Sequence, residues 1–188
     1  MAVEKPRRPG WVEPPGHYLK SREMYSLPGL VEYKPRARYL FSAGQAQSRF
    51  LRGLREGKIL GTRCPRCGRV YVPPRMFCEY CHAPTTEWVE LPGTGRVHTA
   101  VVSYIGTFRE RREEPEIVGV IQLDAPGYVE GGYEFAGLFH RLCGVTPEDV
   151  MSGRAIGMRV RPRWRPPEER RGDVNDIECF EPIPEGEG

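Results

Sequence analysis

Two Cys-x-x-Cys pairs, Cys64-Pro-Arg-Cys67 and Cys78-Glu-Tyr-Cys81, stand ten residues apart in a chain of 188. Each pair forms a tight turn whose backbone amides point at the sulfurs. A short hairpin, supplied by Val70-Tyr-Val-Pro-Pro-Arg-Met76, brings the two turns together. Four thiolates so placed make a tetrahedral S4 cage that Zn(II) fills at Zn–S distances of about 2.3 Å. Iron in a rubredoxin-like site is the chemical rival, since the cage is the same. Pro65 restricts the first turn and Gly68 relieves it, whereas the equivalent place in the second turn holds His82, a less permissive residue. With four thiolates the shell is closed to water and substrate. Cys64, Cys67, Cys78 and Cys81 are therefore expected to be ligands of a structural metal, with His82 a neighbour.

The composition suits one ordinary domain with a small appendage. Hydrophobic residues make up 39% and charged residues 28%, enough for a modest core in a folded chain. With 22 Gly, 19 Pro and no long helical period, short strands and turns are favoured over a bundle. The net charge of +3 lacks the strongly basic footprint usual for nucleic-acid binding. MAVEKPRRPGW is not followed by an apolar leader, and the purest apolar run, at 117–123, is far short of the roughly 20 residues of a membrane span. A cytoplasmic location is expected, and in that reducing compartment paired cysteines read as metal ligands rather than disulfides.

Along the chain, residues 1–37 read as an extended arm rich in Pro, Gly, Arg and Tyr, and 38–57 as a helical segment. Ser42 and Gln45 fit a capping box at the helix start. Ala43, Ala46, Phe50 and Leu54 form its apolar stripe over 43–56, and Gly57 is placed to stop it. The zinc ribbon occupies 58–92, a second domain 93–183, and a short tail 184–188. Strands are expected at 86–91, 96–104, 116–123, 133–140, 156–164 and 176–180. Thr146-Pro147-Glu148-Asp149 opens a short helix that Gly153 ends. Three strands, a short helix and two strands is the order of a five-stranded OB-fold barrel. The fold class is thus mainly β: arm and helix, rubredoxin-like ribbon, C-terminal barrel.

Arg55-Glu-Gly-Lys58 leading into Cys64, Pro73-Pro-Arg75 before Cys78, and Glu90-Leu-Pro-Gly93 running into the first barrel strand resemble one known family over residues 38–183. This is the zinc-ribbon/OB-fold acyl-CoA-associated family, long catalogued as a domain of unknown function. The resemblance implies a small accessory subunit of a thiolase-superfamily enzyme, which would supply the nucleophile and acid/base groups acting on a 3-oxoacyl-CoA. It also implies a share in binding CoA or acyl-CoA. An aldolase or enoyl-CoA hydratase is the alternative partner. A nucleic-acid-binding ribbon/OB module is the reading from a different class, and it calls for steeply salt-dependent binding.

Arg109, Arg111 and Arg112 fall in the expected loop between the first two barrel strands, where guanidinium forks would suit CoA phosphates; a solvated charged loop is the bland reading. Arg159, Arg161, Arg163 and Arg165 alternate on one strand face, with Val160 and Trp164 on the other. Four like charges need company, from a nucleotide phosphate, from an acidic partner surface or from the chain's own Glu168 and Glu169, with a partner or self-pairing preferred. His140 and Cys143 are close in sequence but lack a third orienting group, so Cys143 is expected to be a small buried apolar residue and Cys179 a core residue. No residue of this chain is expected to be catalytic.

Overall fold

The computed structural model describes residues 20–24, 26–27, 29, 39–106, 110–125 and 136–184. The chain divides into two compact units, Met1–Phe41 and Ser42–Gly188. In the first, α1 (Ser21–Met24) is a single turn on which the Lys20 amide donates to Glu23 Oε2 at 2.8 Å. Most of the expected arm lies outside the described residues.

The second unit opens with α2 (Gly44–Arg55). Phe50 and Leu54 are spaced four apart, so both point to one side, and both are buried. The expected capping box does not form. Ala43 is the N-cap, no side chain caps the helix, and Ser42 reaches the Gly44 amide only at 3.4 Å. The C-terminus behaves as expected: Gly57 takes φ 78, its amide donates to Leu54 O at 2.9 Å, and Lys58 N donates to Gly53 O at 2.8 Å. These two bonds satisfy the last carbonyls in a Schellman motif.

The ribbon is a three-stranded antiparallel sheet of order β2-β1-β3, from β1 (Ile59–Arg63), β2 (Val70–Tyr71) and β3 (Glu87–Leu91). Pro92 and Gly93 lead from β3 into the second sheet. That sheet comprises β4 (Gly95–Ile105), β5 (Arg111–Leu123), β6 (Ala136–Arg141), β7 (Arg159–Trp164) and β8 (Ile177–Pro182), in the order β6-β5-β4-β7-β8. Strand β5 alternates strictly between buried and half-buried from Glu116 to Leu123, as one inward face requires. Helix α3 (Pro147–Met151) has the expected start, a capping box between Thr146 and Asp149 with Pro147 in the first turn.

The five-stranded OB-fold arrangement is present but does not close on itself. All five strands are present, but β6 and β8 form no ladder. They meet at one parallel bridge, Leu142 with Phe180, supported by Cys143 N donating to Phe180 O at 2.8 Å. The reason is local: β6 ends at Arg141, and the chain turns at Gly144 toward α3 after a single residue of overlap. The fifth expected strand also starts later than 156, at Arg159, because residues 152–157 are spent in turns.

One core runs through helix, ribbon and barrel. Phe50 and Leu54 from α2, with Ile59, Val72 and Leu91 from the ribbon, belong to the same buried cluster as Val97, Ile121, Val160, Ile177 and Phe180. A second, smaller cluster surrounds the cysteines and includes Tyr71 and Ala83.

Where β4, β5 and β7 converge, Asp124 receives Arg159 through both oxygens, at 2.9 and 2.8 Å, and the Thr94 hydroxyl at 2.6 Å. The Arg159 guanidinium holds the Asp124 carboxyl below its usual value. Asp124→Asn is expected to lower unfolding free energy by about 1–2 kcal/mol, because solvent reaches one side of the pair and screens it. Urea denaturation at neutral pH measures this.

A second pH-sensitive contact joins β6 to the loop before β8. His140 Nδ1 accepts from the Arg141 amide at 2.9 Å, so Nε2 carries the proton and donates to Val174 O at 2.9 Å. Burial holds the imidazole below its usual value, and the Arg141 charge adds to the effect. The unfolded chain therefore takes up a proton first. Stability is expected to be flat above pH 7 and to fall as pH drops below about 6.5 toward the folded-state value. The share of Asp124, a lowered carboxylate, is lost only below about pH 4. His140→Gln keeps a donor for Val174 and should abolish the first decline; denaturant titrations at several pH values would show it.

Candidate metal centre

The two knuckles are built alike. Gly68 N donates to Cys64 O and His82 N to Cys78 O, each at 2.9 Å. Cys64 N then donates to Arg69 O at 2.8 Å and Cys78 N to Ala83 O at 2.9 Å. Gly68 has φ 74, and His82 is forced to φ 51, the strain expected of a side chain at that place. The hairpin between them is pinned from beneath. Buried Thr62 donates to Arg75 O at 2.8 Å and accepts from Arg75 N at 3.0 Å, and buried Thr85 donates to the same carbonyl.

These turns bring the four Sγ atoms within 4.8 Å of one another, and Cys67 Sγ lies 3.7 Å from Cys78 Sγ. A tetrahedron with Zn–S of about 2.3 Å has S···S edges of about 3.8 Å, so the cluster fits the ion. Cys64 and Cys78 are buried, Cys81 is half-buried and Cys67 is exposed. At Cys78 burial opposes ionisation, yet the Tyr71 hydroxyl, at 3.1 Å from the sulfur, and the Cys81 and Tyr80 amides outweigh it and bring the thiol down to about 6. Cys81 is pushed up to about 12, first by its hydrogen bond to Cys67 and then by burial. Without a cation the sulfurs share protons; a divalent metal replaces them and makes all four anionic. The four cysteines thus form a cluster able to hold a structural zinc, as a rubredoxin-like zinc ribbon would.

The other candidates sit elsewhere. Arg109 lies outside the described residues. Arg111 and Arg112 are not in a loop, as expected, but are the first two residues of β5, because the hairpin pairs as far as Ile105 with Arg111. Arg112 is held by Glu116 at 2.9 Å, while Arg111 is exposed. The arginine stripe is paired within the chain, though not by the acids expected for most of it. Arg159 meets Asp124, Arg161 meets Glu181 at 3.2 Å, and Arg163 meets Glu178 at 3.0 Å. Arg165 donates to Asn175 O at 2.8 Å and lies 3.9 Å from Glu169.

Cys143 is not the buried apolar residue expected. It is half-buried and forms a disulfide with Cys179, which is fully buried. No spacing rule signals a pair 36 residues apart. The Tyr71 contact to Cys78 and the Thr62–Thr85 clamp were likewise without a sequence signature. No helix among the described residues is long and apolar enough to cross a membrane.

Residues 52–87 match the family model described as ChsH2, rubredoxin-like zinc ribbon domain, and residues 88–165 that described as ChsH2, C-terminal OB-fold domain. A DUF35 domain-containing scaffold protein of Methanocaldococcus jannaschii is 30% identical over 108 residues, covering 57% of this chain and 67% of that protein. One from Methanothermobacter thermautotrophicus is 24% identical over 104 residues, covering 55% and 71%. Among solved structures, a DUF35-family protein of unknown function from Sulfolobus solfataricus superposes with TM-score 0.47 at 25% identity, over 63% of this chain and 78% of that one. An Ltp2-ChsH2(DUF35) aldolase chain superposes with TM-score 0.49 at 22% identity, over 77% and 98%.

Proposed function

The chain belongs to the DUF35 family of zinc-ribbon/OB-fold proteins, and from that membership we propose that it is a non-catalytic subunit docked on an acyl-CoA enzyme. The partner we favour is of the thiolase superfamily, acting on the carbon–carbon bond of a 3-oxoacyl-CoA in the cytoplasm. The observation that carries this reading is a four-cysteine cluster able to close a metal's shell, in a chain whose relatives are scaffold proteins. A closed shell stiffens a surface and leaves the reaction to another polypeptide. Val101, Tyr104, Ile105 and Phe139, exposed on β4 and β6, are the residues we assign to the contact with the partner. Arg111, exposed at the hairpin tip, is the residue we assign to a CoA phosphate; the paired Arg161 and Arg163 would form part of a polar rim.

The test is pull-down of the tagged full chain from its native extract, followed by thiolysis assays of the captured enzyme with and without this chain. Capture of a thiolase, lost on Phe139→Asp and accompanied by lower activity when this chain is omitted, is the expected result. An aldolase or hydratase in its place would change the partner and keep the scaffold role. Full activity from the enzyme alone, with no co-purification, would sink both. Arg111→Ala should raise KM for acyl-CoA without changing capture.

A further inference from the structure

The seam where the barrel fails to close is also where its two remaining cysteines meet. Leu142 and Phe180 make the only bridge between the end of β6 and β8 among the described residues, and the next residue on one side bonds the previous residue on the other: Cys143 to Cys179. Their Cα atoms are 5.8 Å apart, inside the ordinary range for a disulfide. The two sulfurs are not equivalent. Cys179 is fully buried, whereas Cys143 is half-buried and its Sγ lies 3.4 Å from Arg163 Nη2. The same guanidinium also pairs with Glu178 and Glu181, so its charge is shared, but its Nη2–H beside a partly accessible thiol still favours the thiolate, the form that attacks disulfides.

We propose that Cys143 and Cys179 form a thiol–disulfide exchange site, responsive to low-molecular-weight thiols and disulfides, that fastens and releases the barrel seam. This goes beyond the scaffold role and does not depend on it. In the reducing direction a thiolate RS⁻ attacks Cys143 Sγ. The S–S bond breaks, its electron pair goes to Cys179 Sγ, and that sulfur takes a proton. A second RS⁻ attacks the external sulfur of the mixed disulfide, releasing RSSR and a Cys143 thiolate beside Arg163. The net change is protein disulfide plus two RSH to protein dithiol plus RSSR. Oxidation is the reverse, with Cys143 as the attacking residue and Cys179 as the resolving one. In a reducing compartment a disulfide is ordinarily of this transient, responsive kind.

The experiment equilibrates the zinc-loaded full-length protein in glutathione buffers from reducing to oxidising. Samples are quenched with acid, denatured with chelator, alkylated and mapped by peptide mass. Cys143 and Cys179 are expected to lose alkylation together as the buffer becomes oxidising, while the four zinc cysteines stay alkylated. Glutathione should attach to Cys143 in the Cys179→Ser variant and leave Cys179 unmodified in Cys143→Ser. Arg163→Gln should slow oxidation several-fold near neutral pH. The oxidised wild type should melt about 5–10 °C above the reduced form. Both cysteines alkylated in every buffer, a bond that resists excess glutathione, attachment at Cys179, or equal melting of the two forms would each overturn the proposal.

Discussion

Cys78→Ser is expected to strip the zinc and unfold the ribbon, the largest effect of any single substitution in this chain. Cys78 is fully buried, accepts the Tyr71 hydroxyl, and begins the knuckle whose amides face the sulfur cluster. Serine there is a poor zinc ligand, and a three-thiolate site loses both affinity and its closed geometry. Structural zinc in small ribbons is worth on the order of 10 kcal/mol of folding free energy. That compares with a total stability of about 5–15 kcal/mol for an ordinary domain. Metal analysis of the purified protein should fall from roughly one zinc per chain to near none. Chelation of the wild type should reproduce the loss. Retention of zinc and of a cooperative melt in Cys78→Ser would refute the four-ligand assignment.

The second large effect is expected from Phe50→Ala, at about 3–5 kcal/mol. Phe50 has no exposed surface and stands in the cluster that joins α2, the ribbon and the barrel. Removing the ring opens a void that none of these elements can fill alone, since each is braced against the other two. Because the core is continuous, the substitution should shift one transition for the whole second unit rather than split off a stable barrel. Denaturant unfolding followed by fluorescence and by zinc release would give coincident curves in wild type and variant. Separate transitions would show that ribbon and barrel fold independently.

What could be read from the sequence is what local chemistry writes there. Two Cys-x-x-Cys pairs announce the cage because a metal demands four donors at fixed short spacing. The α3 start is legible because Thr146 and Asp149 satisfy each other within a single turn that Pro147 opens. Gly57 announces the end of α2 because only a left-handed residue makes that pair of bonds at no steric cost. Apart from the start of α2, the misreadings involve partners far apart in the chain. Ser42 offered a local cap, but Ala43 took the N-cap position. The acids that neutralise Arg159, Arg161 and Arg163 are not the adjacent Glu168 and Glu169 but Asp124, Glu178 and Glu181, supplied by the end of β5 and by the pairing of β7 with β8. The Cys143–Cys179 pair depends on a seam that exists only after the sheet has curled.

The continuity of the core has a mechanical corollary. A tether between two separately folded modules lets them wander, and whatever grips both must first halt that wandering, at an entropic penalty. Here no tether intervenes: Pro92 and Gly93 pass directly from one sheet to the other, and Gly93 lies so near Pro162 that an added Cβ would stand 3.2 Å from its ring. Metal knuckle and second sheet are therefore points on one stiff bracket, their spacing settled before any encounter, so that a partner gripping one end would find the other already aligned.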